Sequence, residues 1–180
     1  MGQQSTAMDA AGGGRKPLYT PEQRARRDAT RWTLVQGILA PIQILIAIVS
    51  AILVIRYLRT GEGADIATAS IILKTFTLYT IMITGSIWEK VVFGKWLFAE
   101  SFYWEDMVSM VVIALHSLYL AALLFDWWTE RDRMVLALVA YATYLANAVQ
   151  FILKLRAARI DMRARDMRAA ETVNSGIVAA

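Results

Sequence analysis

The sequence predicts an all-α polytopic membrane protein: a bundle of four transmembrane helices, with an amphipathic helix before it and a helical extension after it. Of its 180 residues 57% are hydrophobic and only 19% are charged, and the mean hydropathy is +0.44. The charged residues collect at the two ends of the chain and in short gaps between long apolar stretches. A bilayer requires this segregation, because a charge near its centre is costly.

Four apolar segments are each long enough to cross roughly 30 Å of hydrocarbon. They cover residues 33–57, 66–93, 107–128 and 134–155. We therefore predict three regions: a disordered tail over residues 1–17, a four-helix transmembrane domain over 18–159, and a charged tail over 160–180. The tail is expected to begin as a helical continuation of the last span and to fray before the chain ends.

A short basic helix is predicted just before the first span. Thr20 is a suitable N-cap, Pro21 suits the first helical position, and Gln23 falls in the first turn. The helix that starts there should continue to Arg31 and lie at the surface of the bilayer, because it is rich in arginine.

The basic residues also predict the orientation. Six Lys and Arg residues lie in the N-terminal region before residue 32 and six lie between residues 154 and 168, whereas the two loops on the other side carry two each. Cytoplasmic loops hold the excess of Lys and Arg, so both termini are expected in the cytoplasm. The net charge of +4 comes mainly from these tails, which indicates contact with anionic membrane lipid and no role in nucleic-acid binding.

Several classes of chemistry are excluded by what the chain lacks. It has no cysteine, which excludes disulfides, thiolate metal sites and cysteine nucleophiles. It also has no P-loop, dinucleotide fingerprint, nucleophile elbow or paired-histidine metal motif. Acid–base chemistry on a hydrophobic ligand, or simple binding of such a ligand, is what remains.

The segment between the second and third spans, residues 88–106, is unusually aromatic. Its seven aromatic and four acidic residues alternate with two lysines. The members are Trp88, Phe93, Trp96, Phe98, Phe102, Tyr103, Trp104, Glu89, Glu100, Glu105, Asp106, Lys90 and Lys95. A simple linker has no need for so many rings, so we expect a folded segment at the membrane interface that contacts a flat apolar ligand.

Three carboxyl groups of this segment, Glu89, Glu105 and Asp106, are expected to converge. Carboxyl groups that repel one another or lie in a medium of low dielectric hold protons more tightly, so that one of them can serve as a general acid. The alternative is that they neutralise Lys90 and Lys95, or face water.

His116, the single histidine, lies about midway along the third span. At helical spacing Glu105, Ser109 and His116 share one face, which predicts a polar track from the interface into the bundle. The alternative is a histidine that is hydrogen-bonded across the bundle for packing. Lys74, within the second span, is expected to extend its ammonium group toward the outer surface.

Further polar residues lie within the spans, and they include Tyr79, Asn147, Gln36 and Gln43. Each can hydrogen-bond between helices as part of the packing. Together they give the bundle a more polar interior than a scaffold needs, which favours a ligand cavity.

These residues include blocks that resemble the vinyl-bacteriochlorophyllide hydratases of photosynthetic bacteria. The blocks are Leu-Tyr-Thr-Pro-Glu-Gln at 18–23, Gly-Ser-Ile-Trp-Glu-Lys at 85–90, Phe-Tyr-Trp-Glu-Asp at 102–106 and Ala-Leu-His at 114–116. The similarity extends over about residues 18–159, and the Trp-Glu-Lys and Trp-Glu-Asp blocks are its most specific parts.

The resemblance implies a hydro-lyase of bacteriochlorophyll synthesis, located in the bacterial inner or intracytoplasmic (chromatophore) membrane. Such an enzyme adds water across the vinyl group of a chlorophyllide or bacteriochlorophyllide, whose ring carries Mg²⁺, and needs no cofactor of its own. Association with other pigment-synthesis enzymes, or with further copies of the chain, fits this setting. The rival is a non-enzymatic tetrapyrrole carrier or assembly protein.

If the chain is such a hydratase, each candidate residue can be assigned a role. Glu89, Glu105 and Asp106 are the acid–base candidates, and His116 is the expected axial ligand of the substrate's Mg²⁺. The rings of Trp88, Trp96, Phe102 and Trp104 are expected to stack on the macrocycle. Lys90 or Lys95 would pair with the substrate propionate, and Tyr79 and Asn147 would line the site.

Overall fold

A computed structural model describes residues 17–178, so most of the tail expected at 1–17 lies outside the described residues. The order of helices is α1 (Pro21–Ala29), α2 (Arg31–Thr60), α3 (Ala64–Phe93), α4 (Tyr103–Leu124) and α5 (Glu130–Val178). Within the described residues, α2 to α5 are long and apolar enough to cross a membrane, which confirms the predicted four-span fold.

The start of α1 is the one predicted, whereas its end is earlier. The Thr20 hydroxyl accepts a hydrogen bond from the Gln23 backbone N–H, and the Gln23 side chain accepts one from the Thr20 N–H, which forms a capping box. The helix ends at Ala29, because Thr30 is extended and its side chain accepts from the Trp32 N–H at the start of α2. The predicted single helix through Arg31 is therefore two helices.

Removing this cap should loosen α1 alone. Thr20→Ala deletes the hydroxyl that serves the Gln23 N–H, at a cost of about 1 kcal/mol. We expect faster hydrogen exchange over residues 21–29 and unchanged exchange in α2. The control is Thr77→Ala, because the Thr77 hydroxyl donates only to carbonyls of its own helix. Equal exchange of α1 in wild type and Thr20→Ala would contradict the role of the cap.

The four long helices pair as α2 with α3 and α4 with α5. Hydroxyl groups join the pairs, because Ser50 is hydrogen-bonded to Ser70 on α3 at 2.7 Å and to Tyr141 on α5 at 2.6 Å. An apolar core surrounds these bonds and includes Val54, Ile71 and Tyr119. Many apolar side chains on the outer faces are exposed in the protein alone, as expected of faces that meet lipid.

The structure places α1, the connection between α3 and α4 and the continuation of α5 at the same end of the bundle, which we call the loop end. Helix α5 is continuous through Val178, so its charged part extends the last span without a break. Arg24 on α1 forms an ion pair with Asp166 on this extension. Tyr19 is buried beneath α1, which raises the pKa of its phenol, and the Arg27 guanidinium lies 4.7 Å from the centre of its ring.

The expectation that Lys74 reaches the outer surface is wrong. The side chain is 0% exposed, and its ammonium group lies 3.8 Å from the centre of the Tyr144 ring on α5. The reason is position on the helix: Lys74 shares the inward face of α3 with Ile71, Thr75 and Leu78, all of which are buried. A lysine on that face points into the bundle and away from lipid.

Candidate active site

The connection between α3 and α4 is a short folded loop whose backbone is held by acidic side chains. Gly94 ends α3 in the left-handed conformation, with φ of 81°, and α4 begins at Tyr103. Phe98 is also left-handed, with φ of 58°, which costs a residue other than glycine about 1–2 kcal/mol. Its N–H donates to the Asp106 carboxylate at 2.8 Å, and the Ala99 N–H donates to Glu89 at 3.3 Å.

Glu89 and Asp106 form a buried pair of carboxyl groups. Glu89 comes from the last turn and a half of α3 and Asp106 from the first turn of α4, and they accept hydrogen bonds from the N–H groups of two adjacent loop residues, Ala99 and Phe98. Two neighbouring buried carboxyl groups repel each other when both are ionised, which favours a state with one proton on the pair. Such a pair offers one acid and one base side by side.

Glu105 lies beside the pair but has its own counter-ion. The Lys154 ammonium group on α5 donates to Glu105 at 2.6 Å, and Glu105 is close enough to Asp106 to interact with it electrostatically. The three predicted carboxyl groups thus converge. The alternative of neutralisation by Lys90 and Lys95 is not what the structure shows, because Lys90 donates to the Gly94 carbonyl and Glu105 pairs with Lys154.

A groove of about 510 Å³ opens at the loop end beside these groups. Its lining includes Phe93, Lys95, Ala99 and Lys154, together with the chain just before α1. Ala99 and Lys154 are the residues that contact Glu89 and Glu105 directly. The groove therefore connects the surface with the carboxyl cluster through one layer of side chains.

Two of the predicted stacking rings pack inside the protein. Phe102 is 2% exposed and stacks on Phe151 with a centroid distance of 5.8 Å, while Trp88 meets it edge-on. Trp88 also donates its indole N–H to Thr33 at 3.0 Å. These rings join Tyr19 and Phe93 in one aromatic cluster, which has no ring face left for a ligand at Phe102.

The other two rings that are predicted to stack on a ligand are exposed at the surface. Trp96 is 58% and Trp104 is 73% exposed, and both lie at the loop end. The Trp96 carbonyl accepts from the Ser86 hydroxyl, which fixes the loop to α3, and the Lys90 ammonium group lies 5.9 Å from the Trp96 ring. Both indoles are therefore available for contact with a flat apolar molecule.

His116 is buried and distant from the carboxyl cluster. Its Nδ1 is hydrogen-bonded to the Val112 carbonyl at 2.8 Å, so Nδ1 is the donor and Nε2 carries the lone pair. Ten residues separate it from Asp106 on α4, or about 15 Å along the helix axis. This distance favours a partner for His116 other than the Mg²⁺ of a ring that reacts at Asp106.

The predicted polar track along α4 is present. Glu105, Ser109, Val112 and His116 are all buried on one face, and Asn147 donates to the Ser109 hydroxyl at 2.7 Å. Tyr79 is hydrogen-bonded to Ser117 at 2.7 Å, away from the loop. Sequence reasoning missed Lys154 as a site residue, although its position two turns after Asn147 on α5 was the available signal.

Comparison with known proteins gives a consistent result. The family model described as 2-vinyl bacteriochlorophyllide hydratase matches residues 19–157. A 2-vinyl bacteriochlorophyllide hydratase of Cereibacter sphaeroides is 65% identical over 147 residues, which cover 82% of this chain and 91% of the relative. One of Rhodobacter capsulatus is 60% identical over 152 residues, covering 84% and 88%. No solved structure matches the chain.

Proposed function

The chain belongs to the 2-vinyl bacteriochlorophyllide hydratase family, and from this membership we propose that it adds water across the vinyl group of a bacteriochlorophyllide. The product is the corresponding hydroxyethyl compound, in a hydro-lyase step of bacteriochlorophyll synthesis. The substrate carries its own Mg²⁺, and the reaction needs no oxidant or reductant, because water is added whole.

The observation that carries the mechanism is the buried pair of carboxyl groups, Glu89 and Asp106, held by adjacent N–H groups of the loop. Hydration needs one proton delivered to the terminal vinyl carbon and one proton removed from the attacking water. A pair that shares a single proton supplies both: the protonated carboxyl gives its proton to carbon, and the ionised carboxyl takes one from water. The pair ends with the proton count with which it began, ready for another turnover.

The macrocycle stabilises the cation that forms when the vinyl group is protonated. Protonation of the terminal carbon leaves a cation on the carbon next to the ring, and that charge spreads into the conjugated system. The hydroxyl oxygen of water then bonds to this carbon. The Glu105 carboxylate adds negative charge beside Asp106, which favours the developing cation, and Lys154 holds Glu105 in place.

The substrate enters from the apolar phase at the loop end. The ring lies against the open indoles of Trp96 and Trp104, and its vinyl edge enters the groove next to Ala99 and Lys154. Water reaches the same groove from the aqueous side. The excess of Lys and Arg in both tails favours a cytoplasmic location for this end of the bundle, in a bacterial inner or intracytoplasmic membrane.

Turnover by the purified protein tests the proposal. Protein in detergent is mixed with vinyl bacteriochlorophyllide, with no other factor, and the product is analysed by mass spectrometry. We expect a hydroxyethyl product that is heavier by one water. Stable binding of the pigment without any water addition would instead support a carrier and reject the hydratase.

Lys95 is expected to bind the substrate propionate, because it lines the groove whereas the Lys90 ammonium group donates to the Gly94 carbonyl. Lys95→Gln should therefore raise KM and leave kcat nearly unchanged, with a loss of about 1–3 kcal/mol in binding. The measurement is steady-state hydration by this variant and by the matched Lys90→Gln. The methyl ester of the substrate has no carboxylate, so wild type and Lys95→Gln should have the same KM for it. An equal rise of KM for acid and ester would contradict the assignment.

A further inference from the structure

Four buried polar side chains face the interior of the bundle within about two helical turns of one another, one from each long helix, and we call them the central polar layer: Gln43, Lys74, His116 and Asn147. All four are more than nine-tenths buried. Each also has a nitrogen or oxygen atom with no hydrogen-bond partner among the described residues: Gln43 Nε2, Lys74 Nζ, His116 Nε2 and Asn147 Oδ1.

The helix register brings these side chains together. The Gln36–Thr84 and Ser50–Ser70 bonds fix α2 against α3, so that Gln43 faces the turn of α3 that begins at Lys74. The Ser50–Tyr141 bond sets α5 in the same way, and Gln43 then faces the residue after Asn147.

The remaining contacts place Lys74 and His116 farther from the loop end. Lys74 lies against Tyr144, one turn before Asn147. The ring of His116 lies 5.7 Å from that of Tyr141, nearly two turns before Asn147.

The unpartnered atoms include both donors and acceptors. Gln43 Nε2 and Lys74 Nζ donate hydrogen bonds. His116 Nε2 accepts, because Nδ1 carries the proton, and Asn147 Oδ1 accepts as well. Leaving such groups without partners in an apolar interior costs about 1–3 kcal/mol each. The layer therefore favours a ligand that both accepts and donates hydrogen bonds.

Water meets this requirement, and the other simple ligands do not. A carboxylate accepts from Lys74 and Gln43 but has nothing to donate to His116 and Asn147. A metal cation binds the two acceptors but cannot accept a hydrogen bond from Gln43. Water both accepts and donates, and buried waters typically make about three bonds to polar groups of this kind.

We propose that the central polar layer binds water inside the bundle, and that this water is a reservoir of the second substrate of hydration. A polar column joins the layer to the carboxyl cluster, because Asn147 donates to Ser109, Ser109 donates to the Glu105 carbonyl, and the Glu105 carboxylate meets Lys154. The reservoir role rests on the proposed function, whereas the water site does not.

Hydroxyl-radical footprinting tests the water site, since radicals made from bound water label the side chains that touch it. The full-length protein in detergent is irradiated, and oxidation of His116 is compared with that of Val112, one turn away and equally buried. After correction for the different intrinsic reactivities of the two side chains, we expect His116 to be labelled several-fold more than Val112. This excess should disappear in Gln43→Leu and in Lys74→Met. The matched control is Gln36→Leu on the same helix, whose amide donates to Thr84 outside the layer.

The outcomes separate the two parts of the proposal. Background labelling of His116 in the folded wild type overturns the water site. Loss of labelling in Gln43→Leu with an unchanged hydration rate keeps the site and overturns the reservoir role, and a several-fold fall in that rate supports it. If the wild type labels His116 but never hydrates the pigment, the proposed function fails and the water site stands. If Lys74→Met does not fold, Gln43→Leu alone tests the water site.

Discussion

Glu89→Gln should lower the rate of vinyl hydration by about 10²–10⁴-fold, the usual contribution of a positioned acid or base, while leaving the fold intact. The amide keeps an oxygen that accepts from the Ala99 N–H, and Asp106 still accepts from the Phe98 N–H, so the loop retains both of its contacts. What it removes is the proton that the pair exchanges with carbon and water. The measurement is kcat for hydroxyethyl formation, together with the midpoint of thermal unfolding.

The matched control for this prediction is Glu62→Gln. Glu62 is an exposed glutamate in the turn between α2 and α3, at the opposite end of the bundle. The same chemical change there should leave kcat and the unfolding midpoint unaltered. Full activity in Glu89→Gln would remove Glu89 from the chemistry and leave it as an anchor for the loop.

Phe102→Ala should produce the largest loss of stability. The ring is 2% exposed and contacts Tyr19, Trp88, Phe93 and Phe151, so its removal leaves a cavity at the junction of α1, the loop, α3 and α5. Removing a buried phenyl ring typically costs about 3–5 kcal/mol. We expect a fall of this size in the free energy of unfolding in detergent and faster proteolysis near residue 98.

Phe125→Ala is the control for the aromatic cluster, because it makes the same change at a ring that is 67% exposed. Its cost should stay within about 0.5 kcal/mol, as for most surface substitutions. Similar losses in the two variants would mean that the cluster around Phe102 does not hold the loop end together.

The number and position of the spans could be predicted from the sequence, because a membrane helix shows its length and composition directly. The capping of α1 was equally accessible, since Thr20, Pro21 and Gln23 act over one turn. The ends of α4 were not: it begins at Tyr103 and ends at Leu124, whereas the apolar segment suggested 107–128. Polar residues at a helix start, such as Glu105 and Asp106, are not visible as helical from hydropathy alone.

The residues of the candidate site could be predicted from the sequence, whereas their contact partners were harder to predict. Proximity in sequence to one loop brought Glu89, Glu105 and Asp106 together. Their partners came from elsewhere, because Lys154 lies on α5, 49 residues from Glu105, and only the packing of α4 against α5 joins them. The inward direction of Lys74 depended on helix rotation within the bundle, which the weak amphipathicity of α3 does not reveal.

The central claim, that Glu89 and Asp106 act as one unit with one shared proton, is tested most directly by a double-mutant cycle of hydration rates. Wild type, Glu89→Gln, Asp106→Asn and the double variant are assayed under one set of conditions. Because each single change already disables the pair, we expect the double variant to be about as slow as the slower single variant. Two independent effects that multiply in the double variant, or a single variant with full activity, would contradict the claim.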